Sequence, residues 1–308
     1  MTDVTATAAA QDLATPGVVT AVPPKEGKRR KKSRLGITGW MSIVWLTLVL
    51  LGALLADVLP LKDPRTFDVL DVNQLPNQPI GTPGFPLGTD ANSWDILSRL
   101  IYGARVSLIV AFGVLSIGMV IGGGIGLIAG YMRGRSETLL MAVVDIFLAF
   151  PGLVLLIAIV AFLGSDLQNV VVGISIVTIP AFARIARATT LTFAQREFVL
   201  AAEAAGATRS RILVREVLPN VILPLMAFGF LVVGVAIVAE GSLAFLGLTA
   251  SDTISWGGMI DDARRGLQQE QIAHPALLPA LWMFLTVLSV NFLGDRFRSI
   301  FDVKDAAL

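Results

Sequence analysis

The sequence has 308 residues, 55% of them hydrophobic and only 15% charged, a composition rare among soluble domains and suited to apolar segments that cross a hydrocarbon core of about 30 Å. The formal net charge of +1 gives no bulk attraction to nucleic acid, so the distribution of charge matters more than its sum. With no cysteine and His274 as the single histidine, disulfides and thiolate zinc, iron–sulfur and multi-histidine sites are excluded within the chain.

Residues 1–24 are rich in Ala, Thr, Val and Pro and hold no amphipathic period, which reads as disorder. Lys25, Lys28, Arg29, Arg30, Lys31, Lys32 and Arg34 follow, just before an apolar run. That run is too long for a signal peptide and lacks a small-residue cleavage site, so residues 1–36 are expected to be a disordered basic cytoplasmic tail before an uncleaved span. Six apolar segments are predicted to span: 37–60, 106–130, 138–163, 169–189, 221–247 and 276–294. The expected fold class is an all-α polytopic membrane bundle of six transmembrane helices.

The connections divide the chain into a first transmembrane helix at 37–60, an external loop at 61–105, a core with five further helices at 106–302 and a cytoplasmic tail at 303–308. The external loop holds Pro64, Pro76, Pro79, Pro83 and Pro86, then a stretch predicted as an interfacial helix, Trp94–Ile101. With the amino terminus inside, 18 of the 24 basic residues fall on the cytoplasmic side, so both termini are expected there.

The fourth connection, 190–220, is too long and too patterned for a simple connector. Arg196–Asn220 reads as a short helix, a turn at Gly206 in the left-handed conformation, and a second helix capped by Thr208 and closed by Pro219. Ala201, Ala202, Ala204 and Ala205 leave the first helix thin enough to enter another protein's groove; the alternative is a helix lying on the membrane surface.

Polar residues within spans are costly unless paired or wetted. Asp145, Glu240 and Asn291 are therefore candidates for lining a pathway, against interhelical packing for Asp145 and Asn291 and ordinary solvation near the membrane surface for Glu240. Gly118, Gly122, Gly126 and Gly130 recur every four residues and form a ridge that admits a neighbouring helix. Pro151, Pro180, Pro224 and Pro279 can kink their spans, and His274 is expected to be a solvated loop residue. The only Gly-Lys pair, Gly27-Lys28, belongs to no phosphate loop, and neither a Gly-x-Ser-x-Gly nor a His-Glu-x-x-His pattern occurs, so the chain is not expected to be an enzyme.

Ala201, Ala202, Gly206, Leu218 and Pro219 stand at the spacing of the cytoplasmic motif of bacterial ABC importer permeases, which the chain resembles; Leu200 replaces that motif's usual acid, and Glu203 lies one turn away. A second block, Gly88, Thr89, Asp90, Asp95, Ser98, Arg99, Gly103, Arg105, Ser107 and Leu108, resembles the second permease of dipeptide, oligopeptide and nickel importers, with Ser93 and Trp94 in place of a Gly-Arg pair. Glu240, Ser242, Leu243, Phe245, Leu246, Gly247 and Leu248, then Ser255, Trp256 and Gly257, make a third block, and Leu293, Gly294, Asp295 and Arg298 also fit, so the resemblance covers residues 85–302.

The resemblance implies a transport subunit of the bacterial inner membrane, paired with a homologous permease, two ATP-binding subunits that hold ATP and magnesium, and an external substrate-binding protein. It implies that Ala201, Ala202, Glu203, Gly206, Arg209, Leu218 and Pro219 couple the chain to the ATPase. The implied substrate is a dipeptide or oligopeptide, with nickel or a haem-like compound as alternatives. An ion-driven secondary transporter would be expected to carry an internal repeat of spans, and none is evident. A membrane-embedded enzyme is disfavoured by the missing catalytic patterns.

Overall fold

The computed structural model describes the backbone of residues 36–65, 75–249, 252–270 and 273–305, with the side chains of 265–270 and 300–305 outside the described set. The expected tail at 1–36 therefore lies outside the described residues except for Gly36. The described residues are nearly all helical, with two isolated bridges, Thr82 to Phe85 and Thr89 to Asp95, in the loop before the second helix.

Helix α1 (Ile37–Leu55) has 19 residues and no charged side chain, a length of about 28 Å that fits the hydrocarbon core. Helix α2 (Ile96–Ile117) continues through a π turn (Gly118–Gly122) into α3 (Gly123–Met132), making one rod of 37 residues. The interfacial helix expected at Trp94–Ile101 is therefore not separate. Asp95 caps α2 by accepting from the backbone of Leu97 and Ser98 at 3.3 and 3.1 Å, and no proline follows before Pro151.

The third predicted span is broken in two. Helices α4 (Arg135–Leu148) and α5 (Gly152–Leu163) meet at an angle of 86°. Pro151 supplies the cause: it has no N–H to donate and pushes Phe150 away from helical backbone. Pro180, by contrast, sits inside α6 (Leu167–Phe193), a helix of 27 residues.

After α6 come α7 (Glu197–Ala204), α8 (Arg209–Ile212), a second π turn (Leu213–Val217) and α9 (Leu218–Phe245). Pro219 does not close a helix here. It occupies the second position of α9, and the π turn before it carries a Leu218 N–H to Leu213 carbonyl bond, while the Asn220 side chain donates to the Glu216 carbonyl at 2.6 Å. The helix tolerates the proline because it stands in the first turn of α9, directly after the π turn.

A further helix, α10 (Trp256–Glu270), lies between the last two spans, where no helix was expected. The final helix, α11 (His274–Asp305), runs on through the start of the predicted tail. Among the described residues five helical stretches are long and apolar enough to cross a membrane, and there are six if the bent α4–α5 pair counts as one span.

The core has two centres. One gathers Val110, Val114, Leu156, Val160, Phe182 and Leu225 where α2, α5, α6 and α9 meet. The other gathers Val49, Ile96, Leu100, Ile237 and Trp256 around α1, α2, α9 and α10. Trp45 of α1 meets Trp282 of α11 edge-on at 4.9 Å and donates to the Thr286 hydroxyl at 3.1 Å.

Candidate coupling segment, loop junction and transmembrane cavity

The segment between α6 and α9 is seated against the core rather than a free loop. Gly206, with φ +79°, ends α7: its N–H donates to the Glu203 carbonyl at 2.9 Å and the Ala207 N–H to the Ala202 carbonyl at 3.0 Å. That paired bonding closes the helix end only if one residue is left-handed, which glycine adopts without penalty. Thr208 stands at the cap position of α8 but makes no side-chain cap; its hydroxyl lies 3.5 Å from that of Ser210.

The rear of the segment is anchored by Val199, Ile212 and Val217, all at most 1% exposed within the first core cluster. Ala202 and Leu218 are half-buried against the same cluster. Ala201, Glu203, Gly206, Arg209 and Pro219 are exposed, as are Phe198 and Leu200 at 38% and 55%. An exposed apolar pair beside the motif was not anticipated; its signal in the sequence is the Phe-Val-Leu run, in which only Val199 turns inward.

At the opposite end, the second and third sequence blocks prove to be contact partners. Asp90 accepts from the backbone of Asn92 and Trp94 at 2.8 and 3.0 Å and pairs with Arg99, whose other nitrogen reaches Asp262 of α10 at 2.6 Å. The Arg99 guanidinium also lies 4.6 Å over the Trp94 ring. Burial pushes the Asp90 carboxyl above the usual range, opposed by the Arg99 charge and the two N–H donors. Burial raises Asp95 as well, whereas the hydrogen bond from Arg105 holds exposed Asp57 below the usual value.

Helix α10 docks by its first turn. Ser255 accepts from the Gly258 N–H at 3.2 Å and hydrogen-bonds Glu240. Trp256 is fully buried and donates from Nε1 to the Leu100 carbonyl at 2.9 Å. Gly257 lies so close that an added Cβ would stand 2.4 Å from Gly241 Cα. Glu240 also lies 3.4 Å from the Ser107 hydroxyl and is 1% exposed, so it is not solvated at a membrane surface. His274 is half-buried, with Nε2 3.1 Å from the Gln78 carbonyl, and joins α11 to the 75–95 loop rather than facing solvent.

The glycine ridge packs on α6. Added Cβ atoms at Gly118, Gly122, Gly126 and Gly130 would stand 2.7 Å from Phe182, 2.5 Å from the Ile179 carbonyl, 2.2 Å from the Ala183 carbonyl and 2.8 Å from the Arg187 carbonyl. In a regular α-helix a four-residue repeat drifts around the axis; the π turn at Gly118–Gly122 counters that drift and holds the ridge on one neighbour.

A cavity of 630 Å³ with almost wholly apolar walls lies between α5, α6, α9 and α11. Asn291 is in its wall, and its side-chain amide donates to the Val287 carbonyl of its own helix at 2.9 Å rather than to a neighbouring helix. Asp145 is outside the cavity wall and pairs with Arg184 at 2.6 Å, while Glu137 pairs with Arg187 at 2.5 Å. Asp145, Glu240 and Asn291 are thus not brought to one place.

Residues 122–304 match the family described as the binding-protein-dependent transport system inner membrane component. The chain is 40% identical over 219 residues to the glutathione transport system permease protein GsiD of Pectobacterium atrosepticum, covering 71% of this chain and 72% of that protein. It is 36% identical over 288 residues to the dipeptide transport system permease protein DppC of Alkalihalophilus pseudofirmus, covering 92% and 91%. A solved structure of the MetNI methionine ABC transporter shares the fold, with a TM-score of 0.55 and 21% identity over 67% of this chain and 97% of that one. The glycine ridge, the seated segment between α6 and α9 and the multi-span bundle accordingly belong to a membrane transport component, and the chain is a member of the binding-protein-dependent transport system inner membrane family.

Proposed function

We propose that the chain is one of two homologous permeases in an ATP-driven ABC importer of dipeptides or oligopeptides, with both termini in the bacterial cytoplasm. The observation that carries the coupling part is α7: a short helix outside the spans whose rear is locked into the core and whose outer face is thin and exposed. The names of the glutathione and dipeptide relatives support the substrate class.

In this reading ATP and magnesium are bound and used by two partner subunits, and an external binding protein delivers the peptide. Ala201, Glu203, Gly206 and Arg209, with the exposed Phe198 and Leu200, meet the ATPase. Ala202, Leu218 and Pro219 shape the lever behind that surface. Close-packed interiors transmit displacement because side chains cannot yield into voids. Movement at α7 therefore passes through Val199 and Ile212 into the cluster shared with α6 and α9, which wall the cavity.

The test is to co-express the chain with its permease, ATPase and binding-protein partners, reconstitute the complex in vesicles and measure uptake of labelled dipeptide, glutathione and nickel. Dipeptide uptake that requires ATP is expected. Uptake of nickel alone would move the substrate assignment, and uptake driven by an ion gradient without ATP would overturn the coupling.

A further inference from the structure

Asp145 stands ten positions along α4 from Arg135, about 15 Å of helix rise from that end. Both members of the Asp145–Arg184 pair remain more than half exposed, at 56% and 57%. The neighbouring Glu137 is largely covered, at 18%, so its bridge to Arg187 serves packing. Beside Asp145, the chain breaks at Ala149–Pro151 with those residues also exposed. Half-exposed charges and irregular backbone beside an apolar span occur where the span faces protein, water or a water-filled cavity rather than lipid.

The cavity lies on the same side. Ile174, Val177 and Thr178 of α6 form part of its wall, and Arg184, seven residues past Val177, lies on the same helix face two turns further on. Gly152, at the start of α5, joins that wall too. Two turns beyond the cavity wall along α6 thus stand an opposed positive and negative charge, each with bonding capacity left over.

We propose that the Asp145–Arg184 pair is a way-station for the charged ends of a zwitterionic ligand, a peptide with free termini, leaving the apolar cavity towards the cytoplasm. The bridge opens, Asp145 takes the ammonium, Arg184 takes the carboxylate through paired N–H donors, and the bridge re-forms when the ligand departs. No bond other than hydrogen bonds is made or broken. The inference rests on the peptide-import reading.

The test compares three assembled complexes in vesicles: wild type, the neutral pair Asp145→Asn with Arg184→Gln, and the exchanged pair Asp145→Arg with Arg184→Asp. The readouts are complex yield and dipeptide imported per ATP hydrolysed. The neutral pair should assemble at wild-type yield, and every assembled variant should import about tenfold less per ATP, the loss expected when charge-assisted contacts disappear or are reversed. Full import by the neutral pair, or recovery of import or assembly in the exchanged pair alone, would show that the bridge only holds helices together. Failure of both variants to assemble would assign this face to the partner permease and overturn the proposal. A wild-type complex that imports no peptide sinks the function itself; wild-type import with unaffected variants sinks this inference alone.

Discussion

Substituting Gly126 tests whether α3 and α6 are held at backbone contact. An added Cβ there would stand 2.2 Å from the Ala183 carbonyl oxygen, 2.6 Å from Ala186 Cβ and 2.8 Å from the Arg187 nitrogen. Comfortable separations are about 3.5 Å, so even alanine must part the helices by about 1 Å. The same displacement opens gaps at Gly122 and Gly130, and a gap of that size forfeits about a quarter to a half of the dispersion energy of each contact. Overpacking costs about 1–3 kcal/mol, offset by about 1 kcal/mol from the better helix preference of alanine. Gly124→Ala is the internal control: it lies in the same helix, and its added Cβ meets nothing within 4 Å. The assay is thermal unfolding of the detergent-solubilised complex, followed by loss of the monodisperse species. Gly126→Ala should unfold at lower temperature than wild type, Gly126→Leu should reduce complex yield outright, and Gly124→Ala should match or exceed wild type. Equal stability of the two alanine variants, or normal yield of Gly126→Leu with altered substrate preference, would refute the close-contact argument.

Three other outcomes follow from the same geometry. Gly206→Val should weaken stimulation of ATP hydrolysis by the loaded binding protein: within the chain the cost is confined to the left-handed backbone, about 1–2 kcal/mol, because nothing lies within 4 Å of an added Cβ. Gly206→Asn should retain more stimulation than valine, and wild-type stimulation in both variants would remove this turn from the coupling path. Arg99→Leu should destabilise the complex by about 3–5 kcal/mol by leaving Asp90 buried without its cation, whereas Asp262→Asn, at a partly exposed position, should cost less than about 1 kcal/mol. The reverse order in thermal unfolding would show that Asp262 is the dominant partner. In this cysteine-free chain, a single cysteine at position 77 should react with an impermeant label in intact cells and one at 209 should not; the opposite pattern would invert the topology.

The sequence alone was informative where a residue answers to its solvent or its own backbone. The lengths of the apolar runs located five spans and the bent α4–α5 pair because hydrocarbon thickness sets the length a helix needs, whatever its neighbours do. Gly206 was assigned a left-handed turn from its place after an alanine-rich helix, and it has φ +79°. The four-residue glycine repeat announced a close helix contact, although nothing in it named α6 as the partner.

Tertiary structure decided everything that depended on a distant partner. Pro151 breaks its span while Pro180 and Pro219 do not, because a proline's effect depends on its place in the helix and on what packs around it as well as on the residue itself. Helix α10 carries too few apolar residues to span and was invisible to a search for spans, yet its first turn buries Trp256 and covers Glu240. Solvation stayed a rival reading for Glu240 and was the expectation for His274 because the groups that take them out of water lie far along the chain: Ser107 is 133 positions from Glu240, and Gln78 is 196 from His274. Run length and local turns are properties of one segment and its surroundings, legible residue by residue; a contact between two segments is a property of their meeting, and it exists only once the bundle has closed.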